Sequence, residues 1–152
     1  MNKVEKALKT ARFLVAEHLP HMEIEVKLSR SKKALGTAKQ YTYIPNKGQL
    51  LLSKHFLKVL PENEILDTIL HEIAHLKVGV KHGHNHVWKA ACREVGANPE
   101  RLAHGIDVSG ITFKYDVYCP TCQKVVRHMS RKPKHIHVCT KCGSVVRFRQ
   151  NY

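Results

Sequence analysis

The chain is short of acid. Its 152 residues hold 12 Asp and Glu against 26 Lys and Arg, a formal net charge of +14. Such a surface disfavours cationic partners and favours a polyanion, of which nucleic acid is the commonest inside cells. No apolar run approaches the roughly 18 residues needed to span a bilayer, so no membrane partner is expected. Met1–Lys6 carries charges where a secretory signal needs an unbroken apolar stretch, which points to an intracellular, cytoplasmic protein. No internal repeat or low-complexity tract is present, and aromatic residues make up only 7%. At 43% hydrophobic and 25% charged, the composition is that of a soluble globular protein with a real core. In a reducing compartment its five cysteines read as metal ligands before disulfides.

The charge is uneven. Residues 1–50 hold ten Lys/Arg against four acids, residues 51–110 hold seven of each, and residues 111–152 hold nine against Asp116 alone. The excess therefore sits at the two ends.

Hydrophobic spacing predicts an α+β chain. Val4, Ala7, Leu8, Ala11, Leu14 and Val15 mark a helix over residues 2–18, stopped by Pro20. Ile24, Val26 and Leu28 alternate as a half-buried strand. Further strands are expected over Thr37–Ile44 and Gln49–Leu52, then a brief helix at His55–Leu60 capped by Ser53. The strongest helical pattern runs from Pro61 to Gly79, with Ile65, Leu66, Ile69, Leu70, Ile73 and Leu76 in register. Another helix is expected from His86 to Val95, ended by Gly96. Residues 97–112 read as irregular, with a module boundary near residue 111.

His71-Glu72-Ile73-Ala74-His75 is an H-E-x-x-H sequence on that strongest helix. Residues four apart share a face, so His71 and His75 can offer two imidazoles to one metal. Glu72 can then act on water at that metal as a general base. A third ligand is available from His82, His84, His86 or Glu94. Lys81 occupies the position where a metzincin has its third histidine. Candidate donors to a developing oxyanion are Lys81, Tyr41 and Tyr43.

Cys119-Pro120-Thr121-Cys122 and Cys139-Thr140-Lys141-Cys142 form two C-x-x-C knuckles, 16 residues apart. Four thiolates at this spacing make a closed, structural zinc ribbon. Strands are expected at Tyr115–Tyr118, Lys124–His128, Ile136–Val138 and Val145–Phe148. With the first centre this gives two Zn2+ per chain. The ribbon carries Lys124, Arg127, Arg131, Lys132, Lys134, Arg147 and Arg149 as candidate phosphate contacts, with Tyr118, Phe148 and Tyr152 as stacking platforms. Cys92 lies on an apolar helix face and reads as a buried structural thiol.

These residues resemble the SprT-like zinc peptidases, whose animal members include Spartan. The resemblance rests on His71-Glu72-Ile73-Ala74-His75, on His84-Asn85-His86-Val87-Trp88-Lys89, and on Leu35-Gly36-Thr37-Ala38 with Leu50-Leu51-Leu52-Ser53 upstream. It implies a small zincin-like peptidase domain over residues 1–110, with a zinc ribbon over 111–152. It implies that His71, His75 and His84 hold zinc, that Glu72 is catalytic, and that the substrates are proteins bound or crosslinked to DNA. Nucleoid association would follow from DNA binding. The family's usual His-Gly-Pro-Glu is replaced here by His84-Asn85-His86-Val87, which keeps His86 as an alternative third ligand. The competing reading is a non-enzymatic nucleic-acid-binding module with a metal-stabilised helix.

Overall fold

The computed structural model describes residues 1–100 and 110–152. The chain divides into two units, residues 1–108 and 109–152. Most of the irregular stretch expected at 97–112 lies outside the described residues. Among those described, no helix is long and apolar enough to cross a membrane.

The first unit is α+β. Helix α1 (Lys3–His18) starts at a capping box, in which Asn2 and Glu5 satisfy each other's backbone N–H groups. It buries Ala7, Ala11 and Val15 against β1 (Glu23–Ser29), α2 (Lys54–Val59) and α3 (Glu62–Val78). The sheet has the order β1-β3-β2. Strand β3 (Lys47–Ser53) lies at the centre, parallel to β1 and antiparallel to β2 (Gly36–Gln40). Its Leu50 and Leu52 are fully buried.

Strand β2 is shorter than the sequence suggests. The register pairs Gln40 with Gly48, and Tyr41 N–H donates to Lys47 O at 3.1 Å, closing the hairpin. Residues 41–46 become the hairpin loop because β3 begins at Lys47 and leaves them no partner; Tyr43 is 95% exposed. Strand β2 is therefore an edge strand, and α3 packs against it. Helix α3 buries Ile65, Ile69, Leu70, Ile73, Ala74 and Leu76. Helix α4 (His86–Val95) packs on α3 through Trp88, Ala91, Cys92 and Val95.

The second unit is a three-stranded antiparallel sheet, β5-β4-β6. Strand β4 (Tyr115–Cys119) is central, flanked by β5 (Lys124–Met129) and β6 (Arg147–Gln150). The strand expected at Ile136–Val138 is reduced to a single bridge, Val138 to Val145, and the final strand falls later than Val145–Phe148. The chain there is held by the Cys139–Cys142 knuckle, where Cys139 N–H donates to Ser144 O, so no long ladder is needed.

Candidate active site and metal centres

Helix α3 presents His71 and His75 one turn apart. The third histidine depends on how the chain leaves that helix. After Gly79 comes a 3-10 turn, Val80–His82, then Gly83 at φ 54 and ψ −128, a conformation open essentially to glycine alone. Asn85 then caps α4, accepting from Val87 N–H and Trp88 N–H at 3.0 and 3.2 Å. These two devices fix His84 between the helices.

The result is a triangle of imidazole nitrogens. The Nε2 atoms of His71, His75 and His84 lie 3.2, 3.2 and 3.3 Å apart. Three ring nitrogens this close cannot all face one another as lone pairs without a proton or a cation among them. A tetrahedral zinc with Zn–N bonds of about 2.0–2.1 Å would set its nitrogens about 3.3 Å apart, so the donor set fits that ion. Burial, followed by the charge of His84, holds His71 near pKa about 4. Burial and the two other imidazoles do the same to His75. Both rings are therefore neutral and present lone pairs. Trp88, fully buried, backs all three rings with centroid distances of 4.7, 5.2 and 4.6 Å, and its indole N–H donates to His71 O at 3.4 Å.

The other proposed third ligands point elsewhere. His82 Nδ1 lies 3.2 Å from Asn85 Nδ2, His86 is exposed at the start of α4, and Glu94 pairs with Lys77 at 2.9 Å. Of the candidate oxyanion donors, Lys81, Tyr41 and Tyr43 are all exposed, and none lines the cleft.

Glu72 is only 7% exposed and faces β2. Burial pushes its carboxyl up to about 7, against the opposing effect of the Ala38 backbone hydrogen bond. The sheet comes very close here. A Cβ built on Gly36 would lie 2.9 Å from Glu72 Cγ and 3.1 Å from Thr68 Cγ2. Neither the Gly36 contact nor the Ala38 amide is visible from local spacing, because both depend on how the sheet docks on α3. The histidines and Glu72 open onto a cleft of about 760 Å³. Its lining includes residues 35–38 of the β2 edge and the acidic side chains Glu64, Asp67 and Glu100.

The second centre lies in the ribbon. Cys119, Cys122, Cys139 and Cys142 bring their sulfurs within 4.8 Å of one another. Cys119 and Cys142 sulfurs are 3.4 Å apart and those of Cys122 and Cys139 are 4.0 Å apart. Zn–S bonds of about 2.3 Å would give about 3.8 Å, so the four thiols also fit zinc. The knuckles are equivalent turns: Gln123 N–H donates to Cys119 O and Gly143 N–H to Cys139 O, both at 2.8 Å.

The sequence model of the SprT-like family matches residues 4–108. The chain belongs to the SprT-like family. Searches of curated proteins and of solved structures found no match. The family match takes in the imidazole triangle and Glu72, and the four-cysteine ribbon lies beyond it.

The basic residues expected to contact nucleic acid do not share one surface. Register pairs Val117 with Arg127 and Phe148 on one face of the ribbon sheet, and Asp116 with His128 and Arg149 on the other. Arg149 donates to Asp116 at 2.9 Å, and His128 Nδ1 lies 2.7 Å from the same carboxylate. Burial pushes Asp116 up, but hydrogen bonds from Arg149, His128 and Asn151 outweigh it and hold the carboxyl at about 2. Arg149 is thus held by Asp116 while its side chain stays 62% exposed. Lys132 Nζ lies 5.6 Å over the half-exposed Phe148 ring. Lys124, Arg131, Lys134 and Arg147 are exposed.

Proposed function

We propose that this SprT-like chain is a zinc-dependent endopeptidase acting on proteins bound or crosslinked to DNA, with nucleic acid as recruiter and activator. The observation that carries the reading is the convergence of three imidazole nitrogens beside a buried carboxylate, at the floor of a cleft walled by an edge strand. The SprT-like family is generally associated with zinc metallopeptidase activity, which agrees with it.

His71, His75 and His84 would hold the catalytic ion, and the four cysteines a structural one. When bound at three histidines, zinc supplies a Lewis acid with an open position for water or a carbonyl oxygen. The rest falls to the chain. Apart from the Ala38 N–H, which Glu72 takes, the outer edge of β2 is where an extended peptide would add as a strand, placing the scissile amide beside Glu72. Glu72, with its proton affinity raised to about 7, takes a proton from the attacking water and delivers it to the departing amine. The acidic side chains that line the cleft repel a phosphate backbone, so the nucleic acid belongs on the basic surfaces and the polypeptide in the cleft.

Gly36→Ala tests the Glu72 geometry. No real Cβ sits 2.9 Å from a neighbouring carbon, so Glu72 must shift. A displacement of that order lowers kcat by about tenfold to a hundredfold, with the zinc content unchanged. An unchanged kcat in a folded Gly36→Ala protein means that Glu72 has room to spare and that this positioning is wrong.

The reading as a whole is tested with the purified chain and a basic DNA-binding protein as substrate, with and without DNA, across a salt series. Cleavage should rise about tenfold or more with DNA at low salt and lose that gain as salt increases. Cleavage indifferent to DNA at every salt concentration rejects recruitment by nucleic acid.

A further inference from the structure

Charge in the first unit is sorted along the chain. Residues 26–61 contain no Asp or Glu, yet hold Lys27, Arg30, Lys32, Lys33, Lys39, Lys47, Lys54 and Lys58. The fold gathers five of these into one place. Ser53, the cap of α2, donates its hydroxyl to Ser31 O and its N–H to Leu35 O. Ser31 in turn accepts from Lys33 N–H and Ala34 N–H at 3.2 and 2.9 Å. These bonds clamp the β1–β2 loop, with Arg30, Lys32 and Lys33, onto the first turn of α2, with Lys54 and Lys58 one turn apart.

Three of the ammonium groups share a local field. Lys32, Lys54 and Lys58 all oppose protonation of His55, after burial, which is the larger cause. Like charges four residues apart on a helix are mildly destabilising by themselves. Elsewhere on the sheet, Lys27 and Lys47 are paired with Glu25 and Glu23. Among the described residues, Arg30, Lys33, Lys54 and Lys58 meet no carboxylate. The excess charge is therefore concentrated at the loop and α2.

We infer that the β1–β2 loop and α2 form a second nucleic-acid-binding surface, on the peptidase unit itself, that takes the phosphate backbone of duplex DNA. The inference rests on the proposed role of nucleic acid as recruiter. Duplex is favoured over single strand because Phe56 and Leu57 of α2 are buried and, among the described residues, the partly exposed His55 is the one ring at the centre of the patch. Lysines acting as point charges suffice for a backbone. The position matters for function, since the loop ends at Leu35 and Gly36, which line the cleft. A duplex on this surface lies beside the cleft and brings its bound protein within reach.

The test uses the full chain and a labelled duplex, with affinity measured by fluorescence anisotropy across a salt series. Lys33→Gln/Lys54→Gln/Lys58→Gln should reduce the slope of log K against log salt by about two to three, at roughly 0.9 for each phosphate no longer neutralised. Cleavage of a free peptide should stay at the wild-type rate, which also reports correct folding. Should half-buried Lys54 prove necessary for folding, Lys33→Gln/Lys58→Gln, both exposed, should reduce the slope by between one and two. The same decrement in an Arg127→Gln/Lys132→Gln background supports a surface separate from the ribbon. A wild-type slope in the folded variants overturns this inference alone, as does salt-dependent binding confined to single strands. A wild-type chain that binds no DNA overturns the recruitment reading together with it.

Discussion

Glu72→Gln lowers peptide turnover by about 10²–10⁴-fold and leaves two zinc ions per chain. The amide matches the carboxylate in shape and can still accept from the Ala38 N–H, so the wall of the cleft keeps its form. What it loses is the ability to take a proton. The histidines are untouched, so metal affinity persists, and KM should change little because the proposed mechanism assigns substrate binding to the β2 edge. A neutral amide is also cheaper to bury than a carboxylate in this 7% exposed position, so the melting temperature should not fall. Steady-state kinetics with a zinc count on the same preparation decide the matter. Retained proteolysis in clean Glu72→Gln protein removes Glu72 from the chemistry.

Cys139→Ser dismantles the ribbon while leaving the peptidase unit folded. Residues 110–152 bury few apolar side chains: Ile111, Phe113, Tyr115 and Val117, with Cys119 and Cys139. Both outer strands are almost wholly exposed. A core this small cannot offset the loss of chain entropy, so metal ligation must supply folding free energy, on the order of 10 kcal/mol in such sites. The expected outcome is rapid limited proteolysis beyond residue 110 and a zinc count reduced by one. DNA affinity should drop by about tenfold or more at physiological salt, as the phosphate contacts proposed for the ribbon go. Activity on a free peptide should persist. A ribbon that keeps its dispersed NMR spectrum without metal contradicts the account.

Much of this was open to reading from the residues. The spacing of Ile65, Ile69, Ile73 and Leu76 marks α3, and the H-E-x-x-H sequence lies on it with a two-helix neighbourhood downstream. The knuckles declare themselves, since paired C-x-x-C turns have few other uses. The rest is set by distant contacts. Choosing among His82, His84 and His86 requires the backbone at Gly83 and the cap at Asn85, because all three histidines lie within five residues. Strand β2 stops at Gln40 because β3 begins at Lys47, a matter of register that alternation alone cannot supply. Arg149 reads as a phosphate contact in sequence, and its pairing with Asp116, 33 residues away, is set by sheet register while its side chain stays 62% exposed. The basic patch at Arg30–Lys33 and Lys54–Lys58 appears only once Ser53 ties the loop to α2.

The most direct test of a catalytic metal centre separate from the ribbon is the zinc count per chain, by native mass spectrometry, on wild type and on His71→Ala/His75→Ala. The account predicts two zinc ions falling to one in the variant, with the ribbon's ion retained. One zinc ion in both proteins contradicts it: the imidazole triangle would then hold no metal, and the chain would be a ribbon-based nucleic-acid-binding protein and not a peptidase.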